Sequence, residues 1–422
     1  MEGKADSIGV VTNIVVQKYG GTSVGDLELI RKVASRIART VEKGDKVAVT
    51  VSAMGRTTDR LIALARELSD RPDRRELDLL MATGEQQAVA LMTMALHEMG
   101  IRARSLTGPQ AGFKTDGLFG GARIVEVTPQ RLEATLREVD VAVIAGFQGV
   151  DPCGDINTLG RGGSDTTAVA VAAALGAREC EIYTDTDGVY TTDPHLNPHA
   201  RKLDRIDYDE MLELASLGAR VLHPRSVWYA RRYDVQVHVR SSFSFQAGTI
   251  VRRLERAEMK TDKPVTGVAL DLTHARINLL GIPDVPGVAA RLFAALGDKG
   301  ISADMIIQGV PGSDSSRQQM AFTVSKDLIE DALTAVGPVL SEIGGHAAAD
   351  PDIAKLSIVG IAIGSTPGIA GRMFDAVARS GANIQMIATS EVRISVVIPA
   401  DQAEAALKSV HTAFDLDVAQ SG

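Results

Sequence analysis

The chain has 422 residues, of which 45% are hydrophobic and 4% aromatic, with 40 glycines. This length predicts two or three domains with a large core, and the composition predicts a soluble α/β protein rich in tight turns. The 45 Lys and Arg residues stand against 53 Asp and Glu, so the net charge is -8. That balance argues against nucleic acid and against an anionic membrane surface as the main partner. Small ligands fit it better.

The two cysteines, Cys153 and Cys180, are too few for a disulfide framework. No N-terminal apolar run has signal-peptide architecture. No stretch approaches the roughly 18 consecutive apolar residues that a membrane-spanning helix needs. We therefore expect a reduced, cytoplasmic protein with no membrane partner.

The first predicted strand, over residues 14–17, leads into a lysine followed by small residues. The run reads Lys18-Tyr19-Gly20-Gly21-Thr22-Ser23, and a helix is predicted over 26–43. Glycines let backbone N–H groups approach anionic oxygens, and a helix N-terminus adds positive potential at the same place. We interpret this run as a phosphate cradle. The alternative is that the glycines only form a tight turn and bind no ligand.

Strand and helix patterns then alternate to about residue 255. A strand over 46–51 is followed by a helix over 79–99, a strand over 141–145, a helix over 166–175 and a strand over 181–184. This alternation predicts a mainly parallel sheet with helices on both faces. Ligands of such sheets bind beyond the carboxyl ends of the strands, where the glycine-bearing loops fall here.

A second glycine-rich loop carries a fixed positive and a fixed negative charge. It reads Gly160-Arg161-Gly162-Gly163-Ser164-Asp165 and opens an alanine-rich helix. A guanidinium binds a carboxylate or phosphate bidentately, while a carboxylate in the first helical turn orients a lysine or holds a metal shell. The bland alternative makes Asp165 or Ser164 a helix N-cap only.

Three further segments offer polar groups. Ser52 and Thr58 follow the second strand, and Glu85 stands beside a glycine in the long helix. Glu85 binds an ammonium if it faces the ligand edge of the sheet, and otherwise is a solvated helix carboxylate. Residues 183–194 supply hydroxyls, acids and a tyrosine for a nucleotide, or else simple turn caps.

After a polar segment over 252–263, the sequence repeats itself. Residues 277–281 and 286–293 return as 356–360 and 367–374, and a later glycine and Met-Ile pair recur at the same separation. Each copy reads strand, turn, helix, glycine and strand, which predicts a small α+β module present twice. The Pro-Gly turn before each helix offers N–H groups to an amino acid carboxylate.

In order along the chain, these motifs resemble those of the aspartate kinase family. The resemblance covers essentially the whole chain and rests on Lys18 to Ser23, Ser52-Ala53-Met54-Gly55, Gly84-Glu85, the loop over 160–165 and the segment over 187–194. It implies an α/β amino acid kinase fold, with a mainly parallel sheet sandwiched by helices, over 1–255. A linker over 256–268 and two α+β ACT (ferredoxin-like) domains over 269–345 and 346–422 are expected to follow.

The resemblance implies ATP-dependent phosphorylation of the side-chain carboxylate of L-aspartate to 4-phospho-L-aspartate, with Mg²⁺, towards lysine, threonine and methionine. The implied catalytic residues are Lys18, Asp165, Gly20 and Gly21. The implied aspartate pocket is Ser52, Thr58, Glu85, Arg161, Gly162, Gly163 and Ser164. The implied ATP site is Lys18, Tyr19, Gly20, Gly21, Ser23, Thr184, Asp185, Tyr190, Asp193 and Arg220, with no protein metal site assigned. Arg220 replaces the lysine of many relatives, so its role is open.

The repeat resembles an effector sensor for lysine, threonine or both, with Asp284, Gln308, Asn383 and Ile384 in the effector pocket. Many relatives have Gln-Asn-Val-Ser where this chain has Gln308-Gly309-Val310-Pro311, so we expect weakened or altered feedback inhibition. ACT pairing implies a homodimer or higher oligomer. Met259 is placed to start a separately translated regulatory subunit, although a plain linker methionine is the simpler interpretation.

Two alternatives remain. A kinase of the same fold acting on glutamate or N-acetylglutamate would share Lys18 and its glycines, but it need not carry the loop over 160–165 and paired ACT units. A sensor with an inactive kinase domain would tolerate loss of Lys18, Glu85, Arg161 or Asp165, and all four are present.

Overall fold

The computed structural model describes residues 13–218, 221–255, 258, 264–309 and 317–417. Within these ranges the chain forms two compact units. The first comprises 13–189, 202–216 and 221–255, and the second comprises 190–201, 217–218 and the described residues from 258 onward. The expectations for Arg220, Met259 and Val310-Pro311 fall outside the described residues.

The first unit is built on an eight-stranded sheet and a smaller four-stranded sheet. Its strands are β1 (Ile14–Tyr19), β2 (Lys46–Val51), β3 (Ala103–Leu106), β4 (Phe113–Thr115), β5 (Ile124–Val127), β6 (Val141–Ala145), β7 (Gln148–Val150), β8 (Ile156–Thr158), β9 (Glu179–Thr184), β10 (Arg205–Ile206), β11 (Val237–Ser241) and β12 (Thr249–Val251). Its helices are α1 (Leu27–Glu42), α2 (Thr57–Leu68), α3 (Arg74–Glu98), α4 (Gln130–Glu138), α5 (Gly163–Leu175), α6 (Tyr208–Ser216) and α7 (Pro224–Tyr233).

The large sheet has the strand order β10-β12-β11-β9-β1-β2-β6-β3 and is parallel except where β11 pairs with β12. Helices α1 and α3 bury their apolar stripes against it, with Ile37 and Met92 fully enclosed. Helix α5 packs on β1, β2 and β9, and its alanines allow a close approach to the strands. The mainly parallel, helix-covered sheet expected from the sequence is confirmed.

The small sheet, in the order β5-β4-β7-β8, has no counterpart in the sequence-based expectations. Three of its strands have only three residues, and β5 has four. Such strands are too short to show a period of two. The sheet matters because β8 leads directly into the loop over 160–165.

The second unit contains two four-stranded antiparallel sheets. Its strands are β13 (Gly267–Asp271), β14 (His274–Pro283), β15 (Ile306–Gln308), β16 (Arg317–Ser325), β17 (His346–Asp350), β18 (Ile353–Val359), β19 (Met386–Thr389) and β20 (Arg393–Pro399). Its helices are α8 (Val288–Asp298), α9 (Ile329–Ile343), α10 (Ile369–Arg379) and α11 (Ala403–Ala413). Helices α8 and α9 share a core with one sheet, and α10 and α11 with the other, as the repeat predicts.

Strand pairing does not follow the linear order of the two modules. The first sheet is β15-β16-β14-β17 and the second is β13-β18-β20-β19. Strand β13 precedes the whole first module but pairs with β18, whereas β17 pairs with β14. A boundary at 345/346 therefore assigns β17 to the wrong sheet, and a start at 269 divides β13.

Residues Tyr190–Arg201, between β9 and β10 in the chain, belong to the second unit. The Thr191 hydroxyl lies 2.9 Å from Nε2 of the buried His411, and the Thr191 carbonyl accepts a hydrogen bond from the Val268 N–H at 2.7 Å. None of the helices in the described ranges combines the length and apolar character needed to cross a membrane.

Candidate active site

The first glycine loop joins β1 to α1 at the carboxyl edge of the large sheet. One 3₁₀ turn, Gly21–Val24, follows β1, and Asp26 caps α1 by accepting a hydrogen bond from the Leu29 N–H at 2.8 Å. A Cβ atom at Gly21 would lie 2.8 Å from the carbonyl oxygen of Ala53. A side chain there would separate the loops that follow β1 and β2, so the close approach requires glycine.

Lys18 and Asp165 meet at this edge. Lys18 lies near the end of β1, opposite Thr50 of β2 and Ile182 of β9. Its Nζ atom is 2.6 Å from Oδ1 of Asp165 in the first turn of α5, and the two side chains are only 12% and 14% exposed. A partly buried ion pair of this kind fixes the ammonium in one place, so the structure brings together the two charges that the sequence singled out.

The loop over 160–165 depends on a glycine with a left-handed backbone. Gly162 has φ of 68°, and a Cβ atom there would lie 2.0 Å from Cγ of His223. His223 caps α7, and burial lowers the pKa of its imidazole. Arg161, next to Gly162, is exposed, and no described carboxylate lies within ion-pair distance of it. Its guanidinium is thus available for an anionic ligand.

Glu85 is a buried carboxylate with an unused oxygen. The residue is 3% exposed, and its Oε1 accepts a hydrogen bond from the Ala53 N–H at 3.1 Å. Its Oε2 is buried without a hydrogen-bond partner among the described residues. Burial raises the pKa of Glu85 to about 7. The solvated-carboxylate alternative is therefore wrong, and the free oxygen is suited to an ammonium.

Three residues with hydroxyl groups lie just after β2 or in the first turns of α2 and α5. Ser52 directly follows β2, and its N–H donates to the Tyr19 carbonyl at 3.1 Å. Thr58 stands in the first turn of α2. Ser164 is 9% exposed, and a Cβ atom at Gly146 would lie 2.8 Å from its Oγ. Gly146 thus leaves room for Ser164 beside the end of β6.

The far side of the edge is formed by the end of β9. The Thr184 hydroxyl donates to Oδ1 of Asp185 at 3.0 Å, and Asp185 is exposed. Tyr19 is fully buried and stacks on Tyr183 with ring centroids 4.6 Å apart, while its hydroxyl donates to Gln17 at 3.2 Å. The Tyr19 side chain is a core group, so only its backbone is left to contact a nucleotide.

Two of the residues expected at ATP lie in the second unit. Tyr190 and Asp193 fall within Tyr190–Arg201, and exposed Asp193 accepts a hydrogen bond from the His195 N–H at 2.9 Å. The turn-cap interpretation thus describes the Asp193 side chain in this structure. These two residues therefore belong to a different unit from Lys18.

The four expected effector residues are divided between the two modules. Asp284 follows β14 and Gln308 ends β15, where its amide donates to Oε1 of Gln318 at 2.9 Å. Asn383 and Ile384 lie between α10 and β19, with Asn383 exposed and Ile384 packed against the second module's core. Within the described ranges, no hydrogen bond or ion pair joins any two of these four residues.

Two supporting residues were missed in the sequence. Asp78 is fully buried in α3, and its carboxylate accepts hydrogen bonds from the Gly120 N–H and from both the N–H and the hydroxyl of Thr158, at 2.8–2.9 Å. It anchors β8 just before the loop over 160–165. Phe147, with φ of 68°, packs against Gly163 and accepts from the Leu159 N–H. Both depend on contacts with residues distant in sequence, which no local pattern reveals.

The fold and this cluster define the class of protein. Residues 13–241 match the model of the amino acid kinase family. Residues 277–337 and 356–414 each match an ACT domain. The chain is thus an amino acid kinase that carries paired ACT domains.

Similar proteins narrow the class further. The chain is 65% identical to an aspartokinase of Thermus thermophilus over 96% of its length and all of that protein, and 47% identical to one of Mycolicibacterium smegmatis over 96% of each. The structure of E. coli aspartokinase III in complex with aspartate and ADP is 26% identical, with a TM-score of 0.78 over 95% of this chain and 99% of that one. The chain belongs to the aspartokinases, phosphotransferases with ACT regulatory domains. This membership removes both alternatives left open by the sequence.

Proposed function

We propose that Lys18 is the residue that neutralises charge on the phosphoryl group as it passes from ATP to aspartate. The observation that carries this proposal is the 2.6 Å contact between Lys18 Nζ and Asp165 Oδ1, because it holds the ammonium at the edge where both glycine loops begin. Gly20 and Gly21 add backbone N–H donors beside it. Preorganised donors of this kind stabilise the transition state more than the ground state.

The reaction needs no strong general base in this site. A carboxylate oxygen of aspartate, already ionised at neutral pH, forms the new P–O bond. The bond between the γ-phosphorus and the bridging oxygen breaks, and ADP leaves with the electron pair. Alignment of two anions and neutralisation of their charge are then the tasks of the protein.

Aspartate is expected to bind through its two backbone charges. Arg161 would hold the α-carboxylate as a bidentate partner, and the free Oε2 of Glu85 would accept from the α-ammonium. Ser52, Thr58 and Ser164, with the N–H groups of Gly162 and Gly163, would complete the pocket. Among the described residues, neither the Arg161 guanidinium nor Oε2 of Glu85 has a partner of opposite charge, which supports these roles.

The nucleotide is expected to lie along the ends of β1 and β9, with Thr184 and Asp185 beside it and Ser23 beneath the phosphates. Tyr190, Asp193 and Arg220 remain predictions from the resemblance alone. Mg²⁺ is usually bound by phosphate oxygens together with one or two carboxylates, and Asp165 and Asp185 are the residues that would hold it here. When bound, it would neutralise phosphate charge.

The test is acyl phosphate formation from ATP and L-aspartate, trapped with hydroxylamine, for the full chain and for Lys18→Ala. We expect kcat to fall by roughly 100-fold or more, as for removal of one preorganised donor. Lys46→Ala is a matched control, because Lys46 also pairs with an aspartate, Asp140 at 3.1 Å, but at the start of β2. Equal activity of Lys18→Ala and Lys46→Ala would contradict the proposal.

We also propose that feedback control is weakened or altered relative to kinases with an amide and a hydroxyl after the glutamine of β15. The E. coli enzyme has been crystallised with lysine and aspartate. In this chain Gly309 and Pro311 offer neither group, and each lost hydrogen bond is worth roughly 0.5–1.5 kcal/mol.

The feedback proposal is tested by titrating lysine and threonine, singly and together, into the hydroxylamine assay. We expect half-maximal inhibition to be several-fold weaker than in the double variant Gly309→Asn, Pro311→Ser. Tight inhibition of the unaltered chain by lysine plus threonine would remove the proposal.

A further inference from the structure

The segment that follows β11 lies against the proposed nucleotide site. Residues 241–246, here termed the serine loop, connect the end of β11 toward β12. The Ser242 hydroxyl is 2.5 Å from the hydroxyl of Ser23, which is 1% exposed in the phosphate cradle. The Ser242 N–H donates to the carbonyl of Thr184 at 2.8 Å. One residue of the serine loop thus contacts both the cradle after β1 and the end of β9.

The Arg36 side chain of α1 binds the backbone of the serine loop. The Arg36 guanidinium donates to the carbonyl of Ser241 at 3.1 Å, of Ser242 at 3.3 Å and of Ser244 at 2.9 Å. Three carbonyl oxygens brought close together repel one another, because each carries a partial negative charge. A cation hydrogen-bonded to all three offsets that repulsion. No described carboxylate lies within ion-pair distance of Arg36, so its charge is directed to these carbonyls.

Two aromatic rings fix the plane of this guanidinium. The Arg36 Cζ atom lies 4.9 Å from the centroid of Tyr183 and 4.5 Å from that of Phe245, which is itself in the serine loop. Tyr183 in turn stacks on Tyr19, the residue after Lys18. Arginine is suited to this place because it stacks on rings while donating in its own plane, which an ammonium cannot do.

We propose that Arg36 is a positioning residue for the nucleotide, which acts by holding the serine loop against the phosphate cradle. Arg36 touches neither reactant in this scheme. Its loss would free the Ser242 backbone and hydroxyl, and through them the Ser23 and Thr184 positions. The proposal rests on the nucleotide assignment of Ser23 and Thr184 made above. It predicts a defect in ATP binding that leaves the aspartate pocket, built on other loops, unaffected.

The test compares Arg36→Met and Arg36→Lys with Arg39→Met in the full-length protein. Arg39 is the matched control: it lies one turn later on α1, is exposed, and stacks on the same Phe245 at 5.0 Å, yet makes no hydrogen bond to the described residues of the serine loop. The measurements are KM for ATP, KM for aspartate, kcat, and the Kd of ADP by calorimetry. We expect Arg36→Met to raise KM for ATP and the Kd of ADP about tenfold, with KM for aspartate changed less than about twofold.

Arg36→Lys is expected to restore part of the ATP affinity, because an ammonium reaches some of the carbonyls without the ring stacking. Hydrogen exchange of the 241–246 amides should quicken in Arg36→Met and not in Arg39→Met. If Arg36→Met proves unfolded, Ser242→Ala serves in its place and should raise KM for ATP in the same direction. Proportional losses for ATP and aspartate, or values equal to those of Arg39→Met, would overturn the inference. Failure of the nucleotide assignment itself would instead appear as an unchanged Kd of ADP in Ser23→Ala.

Discussion

At the scale of single residues, the site contains one charge that has an ion-pair partner, on Lys18, and one carboxylate that has none among the described residues, on Glu85. Lys18 is paired with Asp165, whereas Glu85 is buried with one oxygen unused. Burial disfavours the ionised form of the Glu85 carboxylate and so raises its pKa. A substrate ammonium beside it would favour the ionised form and lower that pKa. Ligand binding and protonation of Glu85 are therefore coupled.

This coupling predicts the behaviour of Glu85→Gln. The pKa of Glu85 in the folded protein is about 7, above its unfolded value, so ionisation lowers stability progressively as pH rises from the unfolded pKa to about 7. At about pH 8 the substitution should raise the free energy of unfolding by up to roughly 3 kcal/mol, and near pH 4 it should have little effect. Thermal unfolding at both pH values measures this.

Activity should move in the opposite direction from stability. Glu85→Gln is expected to raise KM for aspartate, and in the unaltered protein KM for aspartate should rise as pH falls below about 7. Glu67→Gln, on the exposed face of α2, is the control and should change neither quantity. A destabilised Glu85→Gln protein at pH 8 would contradict the assigned burial effect.

At the scale of elements, the loops position the site because specific glycines let them approach one another. Gly162 and Gly176 bracket α5, and both have left-handed backbones, with φ of 68° and 57°. Only Gly162 meets a neighbour, the ring of His223, whereas a Cβ atom at Gly176 would meet nothing within 4 Å. A substitution at Gly176 therefore tests backbone strain alone, whereas one at Gly162 adds a steric clash.

We therefore expect Gly162→Ala to displace the loop over 160–165 and to raise KM for aspartate at least tenfold. Gly176→Ala should cost only the left-handed strain, about 1–2 kcal/mol of stability, with unchanged kinetics. Steady-state kinetics together with thermal unfolding checks both variants. If the two proteins behaved alike, the approach of α7 to this loop would not matter for the site.

The elements also show what could be predicted from sequence. β2 and β6 lie where the pattern placed them, and α1 begins one residue later, because buried strands and amphipathic helices show their periods locally. Helix α2 was missed, and in the structure only Thr57 among its residues is buried. The motifs predicted the meeting of Lys18 with Asp165. The roles of Asp78 and Arg36 depend on partners about 80 and 205 positions away. Contacts between residues so far apart leave no pattern in the local sequence.

At the scale of the whole molecule, the second unit presents exposed apolar residues on strands at sheet edges. Ile306 on β15 is 50% exposed and Ile387 on β19 is 42% exposed. Both strands are terminal in their sheets, so one side of each backbone has no strand partner within the described sheets. Such edges favour pairing with another chain. They support the expectation of a homodimer formed through the ACT domains.

The dimer prediction is tested by light scattering coupled to size exclusion across a dilution series. Ile306→Glu and Ile387→Glu should each shift the population towards monomer, because a charge would be buried in the contact. Leu64→Glu is the control, since Leu64 on α2 is 53% exposed in the first unit. Dimers of equal stability in all three variants would show that these edges do not form the contact.

The placement of β13 in the second ACT sheet imposes an order on biosynthesis. β13 leaves the ribosome roughly 80 residues before β18, the strand that flanks it, so it must wait while the entire first module is made. The first module lies in the chain between two strands of the second, β13 and β18. It can therefore fold on contacts within its own residues. Any shorter polypeptide intended to carry the complete regulatory pair must therefore begin ahead of Gly267, and excision of the inner module would leave β13 and β18 as neighbours able to pair.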